Sequence, residues 1–173
     1  MNRGKLAVLS ILVLAIGLAG FAWWYNYHKS QRPIEFWGRN GIARIRHAPQ
    51  VELLRLRREA GTSSGLTISA NSYAVSAQAD ISKTQGLKNG RDALVRDDSY
   101  DWKAVENDRS LSEYTHAVRF RDASGTTTVA FDFEREQLAY VESGAEKKGA
   151  AKIMAGWQTF AQRHLPANAK GTE

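Results

Sequence analysis

Gly61-Thr-Ser63-Ser-Gly65 fits G-x-S-x-G, the pattern in which a sharp strand-to-helix turn exposes a serine nucleophile. Asp132 and His164 follow it in the acid-then-histidine order that such a triad requires. The surroundings favour another reading. Leu66-Thr-Ile-Ser-Ala70 alternates like a strand instead of a helix, and too little chain remains to finish the usual hydrolase sheet, so a Gly/Ser hairpin loop is expected. Asp97-Asp98-Ser-Tyr-Asp101 offers oxygens for a hard cation such as Ca²⁺ or Mg²⁺, without the glycine turn and bidentate glutamate of an EF-hand loop. Arg91, Arg96 and Arg109 stand close enough in sequence to pair with these acids, and a solvated acidic turn is the expectation.

The four histidines, His28, His47, His116 and His164, form no H-x-x-x-H or H-E-x-x-H spacing. Gly86-Leu-Lys-Asn-Gly90 has neither the glycine spacing nor the Lys-Ser/Thr ending of a phosphate loop. The absence of cysteine excludes disulfides, thiol catalysis, iron–sulfur clusters, zinc ribbons and a lipoprotein cysteine. No catalytic residue, metal or cofactor is therefore expected. Tyr114, Phe120, Phe131, Phe133, Tyr140, Trp157 and Phe160 would line a pocket between sheet and helix if there were one, but a domain this small needs such side chains for its core.

Among the elements that must hold these groups, a membrane segment comes first. Residues 6–25, LAVLSILVLAIGLAGFAWWY, carry no charge, and as a helix they match the ~30 Å hydrocarbon core. Trp23, Trp24, Tyr25 and Tyr27 suit the headgroup layer, with Lys29 and Arg32 just beyond. The run is longer than a signal-peptide core, and its small-x-small site, Gly20-Phe21-Ala22, is followed at once by two tryptophans. An uncleaved signal-anchor over residues 1–27 is expected, with a cleaved signal as the alternative.

Orientation is less simple, because both flanks are basic. Arg3 and Lys5 precede the apolar run; residues 28–58 hold eight Lys or Arg against Glu35 and Glu52. Charge counting slightly favours a cytoplasmic C-terminus. A short basic start running straight into the apolar stretch is instead the layout of an export signal, and an exported body is the expectation. From Glu59 onward 14 basic and 16 acidic residues nearly balance, so the net charge of +6 is juxtamembrane. Nucleic-acid binding thereby loses its electrostatic footprint, and anionic lipid headgroups become the nearer partner for a basic stalk over residues 28–48.

Residues 49–166 then read as one α+β domain. Residues 32–47 suit short helical pieces broken by Pro33, Gly38 and Gly41. Residues 51–57 form a strand whose Val51 and Leu53 are out of phase with Leu54 and Leu56, which implies a bulge or two buried faces. Two strand pieces follow, around 66–70 and 73–80, then a helix over 86–95 capped by Ser82 or Thr84. Tyr100, Trp102 and Val105 plug a polar, turn-rich stretch. Residues 114–122 and 126–133 alternate around an Ala123-Ser-Gly125 turn and form a hairpin; residues 138–142 add a strand that Gly144 ends. Ile153, Trp157, Phe160, Ala161 and His164 fall at helical spacing before Pro166. The expected architecture is a two-layer domain, an antiparallel sheet of about four or five strands covered by two helices, with a flexible tail at 167–173.

Three phrases, VELLRL at 51–56, ADISKTQGLKNGRDALVRDDSYDW at 79–102 and FDFEREQLAYV at 131–141, resemble a bacterial family of small anchored or exported α+β proteins with no assigned activity. That resemblance covers most of the chain after Ala48 and implies a fold, not a function. The family's hairpin segment sometimes carries cysteines where this chain has Phe131-Asp-Phe-Glu-Arg135, so no thiol role transfers. The functional expectation is a non-catalytic, single-pass protein of the bacterial inner membrane that presents an interaction domain to an unidentified protein partner. The alternatives are a membrane-tethered hydrolase and a structural subunit of an envelope complex.

Overall fold

The computed structural model describes residues 3–59, 65–68, 71–104 and 113–165. Its elements in chain order are α1 (Arg3–His47), β1 (Gln50–Arg58), β2 (Leu66–Ile68), β3 (Asn71–Asp80), α2 (Leu87–Leu94), a 3-10 turn (Asp97–Ser99), β4 (His116–Asp122), β5 (Gly125–Asp132), β6 (Gln137–Tyr140), β7 (Ala145–Lys148) and α3 (Ala151–His164). The fold is α+β, and its sheet has seven antiparallel strands in the order β2-β3-β1-β4-β5-β6-β7, curled as a half-barrel.

Seven strands replace the expected four or five. Much of the difference lies at the sheet edges. β2 falls within the expected piece at 66–70, whereas β7, Ala-Glu-Lys-Lys, is too polar for a hydropathy pattern and lies outside the expected strands. Charged, short edges are also what keeps a sheet from pairing with other chains. The loop between β1 and β2 and the expected plug Val105 lie outside the described residues, as does the tail at 167–173.

Both explanations for the phase change in β1 hold. Its register against β3 slips between Arg55 and Leu56, leaving Ser76 as the extra residue, and its two faces enter two separate cores. On one face Val51, Leu53, Val118, Phe120, Val129, Phe131 and Leu138 meet helical residues Ile45, Leu87, Leu94, Met154, Trp157 and Ala161. On the other, Leu54, Ala117, Ala130 and Ala139 form one cross-strand row over β1, β4, β5 and β6. Small side chains there leave room for the sheet to curl, and Leu66, Ile68, Tyr73 and Tyr114 fill the space; the two tyrosine rings meet edge to face at 6.0 Å.

Three helical segments cover the sheet, not two. Residues 33–48, expected as stalk, bury Trp37, Ile45 and Ala48 in the main core, so the folded body begins near Pro33. Continuous helix through this stretch is interrupted only at Gly38, whose φ of 67° and ψ of 161° belong to a region that only glycine occupies readily. α1 is thus two helices end to end, and the expected break at Gly41 does not occur. α2 starts at Gly86 in a left-handed conformation without a side-chain cap; Ser82 Oγ instead accepts from the Val51 amide at 2.9 Å.

Candidate functional site

α1 carries one stretch, Val8–Tyr25, long and apolar enough to cross a membrane, and none of it is buried against the protein. Eighteen residues rise about 27 Å. Trp23, Trp24, Tyr25 and Tyr27 are all about half or more exposed at its far end, with Trp23 stacked on Tyr27 at 5.7 Å and Phe21 near Trp24 at 6.0 Å. Lys29 follows on the same helix. Arg32 is exposed and borders a shallow groove that the fold completes with Phe36, Trp102, Lys103 and Lys147. The last three are distant in sequence and were not among the expected interface residues. Lys147 Nζ lies 5.9 Å from the Trp102 ring centroid, a cation–π distance.

Trp37 ties this helix to the body. Its indole Nε1 donates to the Leu94 carbonyl at 2.9 Å and to the Tyr100 hydroxyl at 3.0 Å, and Tyr100 in turn donates to the same carbonyl. Burial pushes the Tyr100 phenol above its usual range, so it stays a donor throughout the physiological range. Phe36 packs edge-on against Trp37 at 4.6 Å and Tyr140 lies 5.3 Å away on the sheet. The connection between apolar span and domain is therefore a packed, hydrogen-bonded joint.

Arg44 in the expected stalk and Arg55 in β1, both cations of the basic 28–58 stretch, are engaged within the fold. Arg44 pairs with Asp122 at 3.5 Å and donates to the Ser124 carbonyl at 3.0 Å, clamping the β4–β5 turn. The Ser124 hydroxyl, its backbone amide and Arg44 hold the Asp122 carboxyl below the usual carboxylate range. Arg55 donates to the Leu165 carbonyl at the end of α3. Arg46 remains exposed beside Lys83 and Lys88, at the pole away from the span.

The sequence-predicted chemistry is dispersed. Ser63 lies outside the described residues. Asp132 accepts from the amides of Glu113, Glu134 and Arg135 at 2.9, 3.1 and 3.0 Å, which makes it the buried pivot of the β5–β6 turn. His164 packs its ring against Phe160 at 4.6 Å. Asp98 pairs with Arg96, and Asp101 accepts from the amides of Lys103 and Ala104. Among the described residues no three His, Asp or Glu side chains converge as a metal-binding group. His47 is exposed, and His116 sits on β4 opposite Arg55, where burial and that guanidinium lower its pKa.

An apolar cleft of about 230 Å³ lies between α2 and α3. Leu87, Ala93, Ile153, Trp157 and Phe160 wall it, with Asn89 and Lys152 as its polar groups. Gly90 admits the indole of Trp157 so closely that a β-carbon there would stand 2.7 Å from Cζ2, whereas a β-carbon on Gly156 would meet nothing within 4 Å. Trp157 is 4% exposed and its Nε1 has no acceptor among the described residues. One signal for this site was present in the sequence. Glycines inside helical patterns cost about 1 kcal/mol relative to alanine, so Gly90 and Gly156 each ask for a packing or binding reason.

Compared with protein-family models, curated proteins and solved structures, the chain matches none.

Proposed function

We propose that this protein is a single-pass membrane-anchored binding protein, held by residues 6–25 in the bacterial inner membrane, with its α+β body outside the cytoplasm. The observation that carries this reading is that Val8–Tyr25 is wholly uncovered by protein yet continues in one helix to the buried, hydrogen-bonded Trp37. An apolar helix of that length needs an apolar solvent. Tyr25 and Trp37 are twelve residues apart, so the joint stands about 18 Å beyond the apolar window. A rigid spacer of this kind sets the body at a defined height. Lys29 and Arg32 supply cations to anionic headgroups on that side, each worth about 1 kcal/mol near an anionic surface. The exported orientation is supported by the short basic start before the apolar run.

A paired topology assay tests this directly. Alkaline phosphatase or green fluorescent protein is fused after Glu173 in a bacterial host, and membranes are separated from soluble protein. Phosphatase activity retained in membranes is the expected result. Fluorescence without phosphatase activity overturns the orientation, and a soluble, shortened product overturns the anchor.

A further inference from the structure

We infer that the cleft between α2 and α3 binds a small amphiphilic carboxylate, an apolar tail of about eight carbons ending in one anionic head.

Size comes first. An apolar cavity of about 150 Å³ admits benzene, with six heavy atoms, so a cleft of about 230 Å³ admits roughly nine or ten. Its walls are mostly hydrocarbon, which makes it a poor host for water, since an ordered water needs two to four polar partners. Gly156 leaves its side of the cleft open along the helix, giving a chain-shaped ligand a groove to lie in.

Polarity supplies an independent argument. The Trp157 indole N–H is buried without an acceptor among the described residues, an arrangement that native proteins seldom tolerate without a reason. The benzo edge of the indole is the edge turned toward α2, with Cζ2 and Cη2 at 2.7 and 2.9 Å from where a Gly90 β-carbon would stand. Lys152 is exposed and forms no ion pair among the described residues, while no Asp or Glu lines the cleft. The only formal charge there is positive, which selects an anionic head over a neutral or cationic one. This site is independent of the orientation proposed above, because it requires only the packed α2–α3 pair.

The full chain in phosphatidylcholine nanodiscs, labelled with 5-fluorotryptophan, gives one ¹⁹F resonance for each of its five tryptophans, and Trp157→Phe assigns the relevant one. Octanoate and octanol are titrated in parallel to millimolar concentration. Octanoate should shift the Trp157 resonance saturably, octanol at least tenfold more weakly, and the Trp37 resonance should stay in place. Gly156→Leu, which fills open space from an exposed helical position, should abolish the shift. Lys152→Glu, on the exposed surface, should weaken octanoate at least tenfold and serves if the leucine variant fails to fold. A Trp157 resonance that does not move, a shift unaffected by Gly156→Leu or by Lys152→Glu, or equal potency of octanol and octanoate each overturns the inference.

Discussion

Gly90 on α2 and Trp157 on α3 are in such close contact that the smallest side chain would have to displace the indole. A β-carbon at Gly90 would approach Cζ2 to 2.7 Å and Cη2 to 2.9 Å, both rigid ring atoms of a core residue. Gly90→Ala gains helix propensity, about 1 kcal/mol, and loses more by overpacking, about 1–3 kcal/mol. The net expectation is a lower melting temperature for the full chain. Gly156→Ala, in the facing helix with open space around it, should raise stability by about 0.5–1 kcal/mol. Thermal unfolding of the two variants side by side checks the opposite signs.

Gly38→Ala separates conformational strain from steric clash. Nothing lies within 4 Å of the position, yet its φ of 67° and ψ of 161° suit only glycine. Holding alanine there should cost about 1–3 kcal/mol, or straighten α1 and pull Trp37 from its hydrogen bonds. Urea unfolding measures the loss, and the Trp37 fluorescence maximum, red-shifted on exposure, distinguishes the second outcome.

Arg91 closes the far end of α1. Its guanidinium donates to the carbonyls of Arg46 at 2.9 Å and Ala48 at 2.8 Å, while lying 5.7 Å from the Phe120 ring centroid. These carbonyls have no partner further along the helix, and a cation is favoured at that terminus. Arg91→Ala should destabilise by about 1–3 kcal/mol, and Arg91→Lys should recover only part of it, because an ammonium lacks the planar fork. Denaturant midpoints of the two variants test the order.

Acidification should weaken the fold through His116. Arg55 faces it across β1, Thr115 Oγ1 lies 3.0 Å from its Nδ1 and the Phe133 ring is at 5.6 Å; burial and the Arg55 charge lower its pKa in the folded state. As pH falls, the unfolded chain takes up this proton first, near pH ~6.5. The stabilisation is therefore complete above that value and is lost as pH falls toward the folded pKa, with a slope of at most about 1.4 kcal/mol per pH unit. His116→Gln should flatten stability below about pH 6.5 relative to the parent chain.

Leu14→Arg places a guanidinium near the middle of the exposed apolar window. Insertion should become less favourable by about 2.5–3.5 kcal/mol, and the membrane-bound fraction after carbonate extraction should fall. The folded body, which begins near Pro33, should keep its unfolding midpoint.

Features of this protein written in short stretches of chain were legible without coordinates. The uncharged run before Asn26, the β4–β5 hairpin about its Ala123–Ser124 turn and the amphipathic α3 each arise from neighbours within about a dozen residues, where periodicity and turn chemistry act. Missing thiol chemistry follows from composition alone. β7 was not legible, because Ala-Glu-Lys-Lys becomes a strand only when β6 offers it an edge. Arg44 and Arg55 look like free cations, and Arg91 like a partner for the acidic turn at 97–101, until the turn at Ser124, the Leu165 carbonyl and the end of α1 arrive beside them from distant parts of the chain. The cleft was hidden for the same reason: Gly90 and Trp157 are 67 residues apart, and a groove between two helices exists only once packing against the sheet has brought them together. Local pattern determined the elements and the apolar span; long-range contact decided which charges were neutralised and where a ligand could enter.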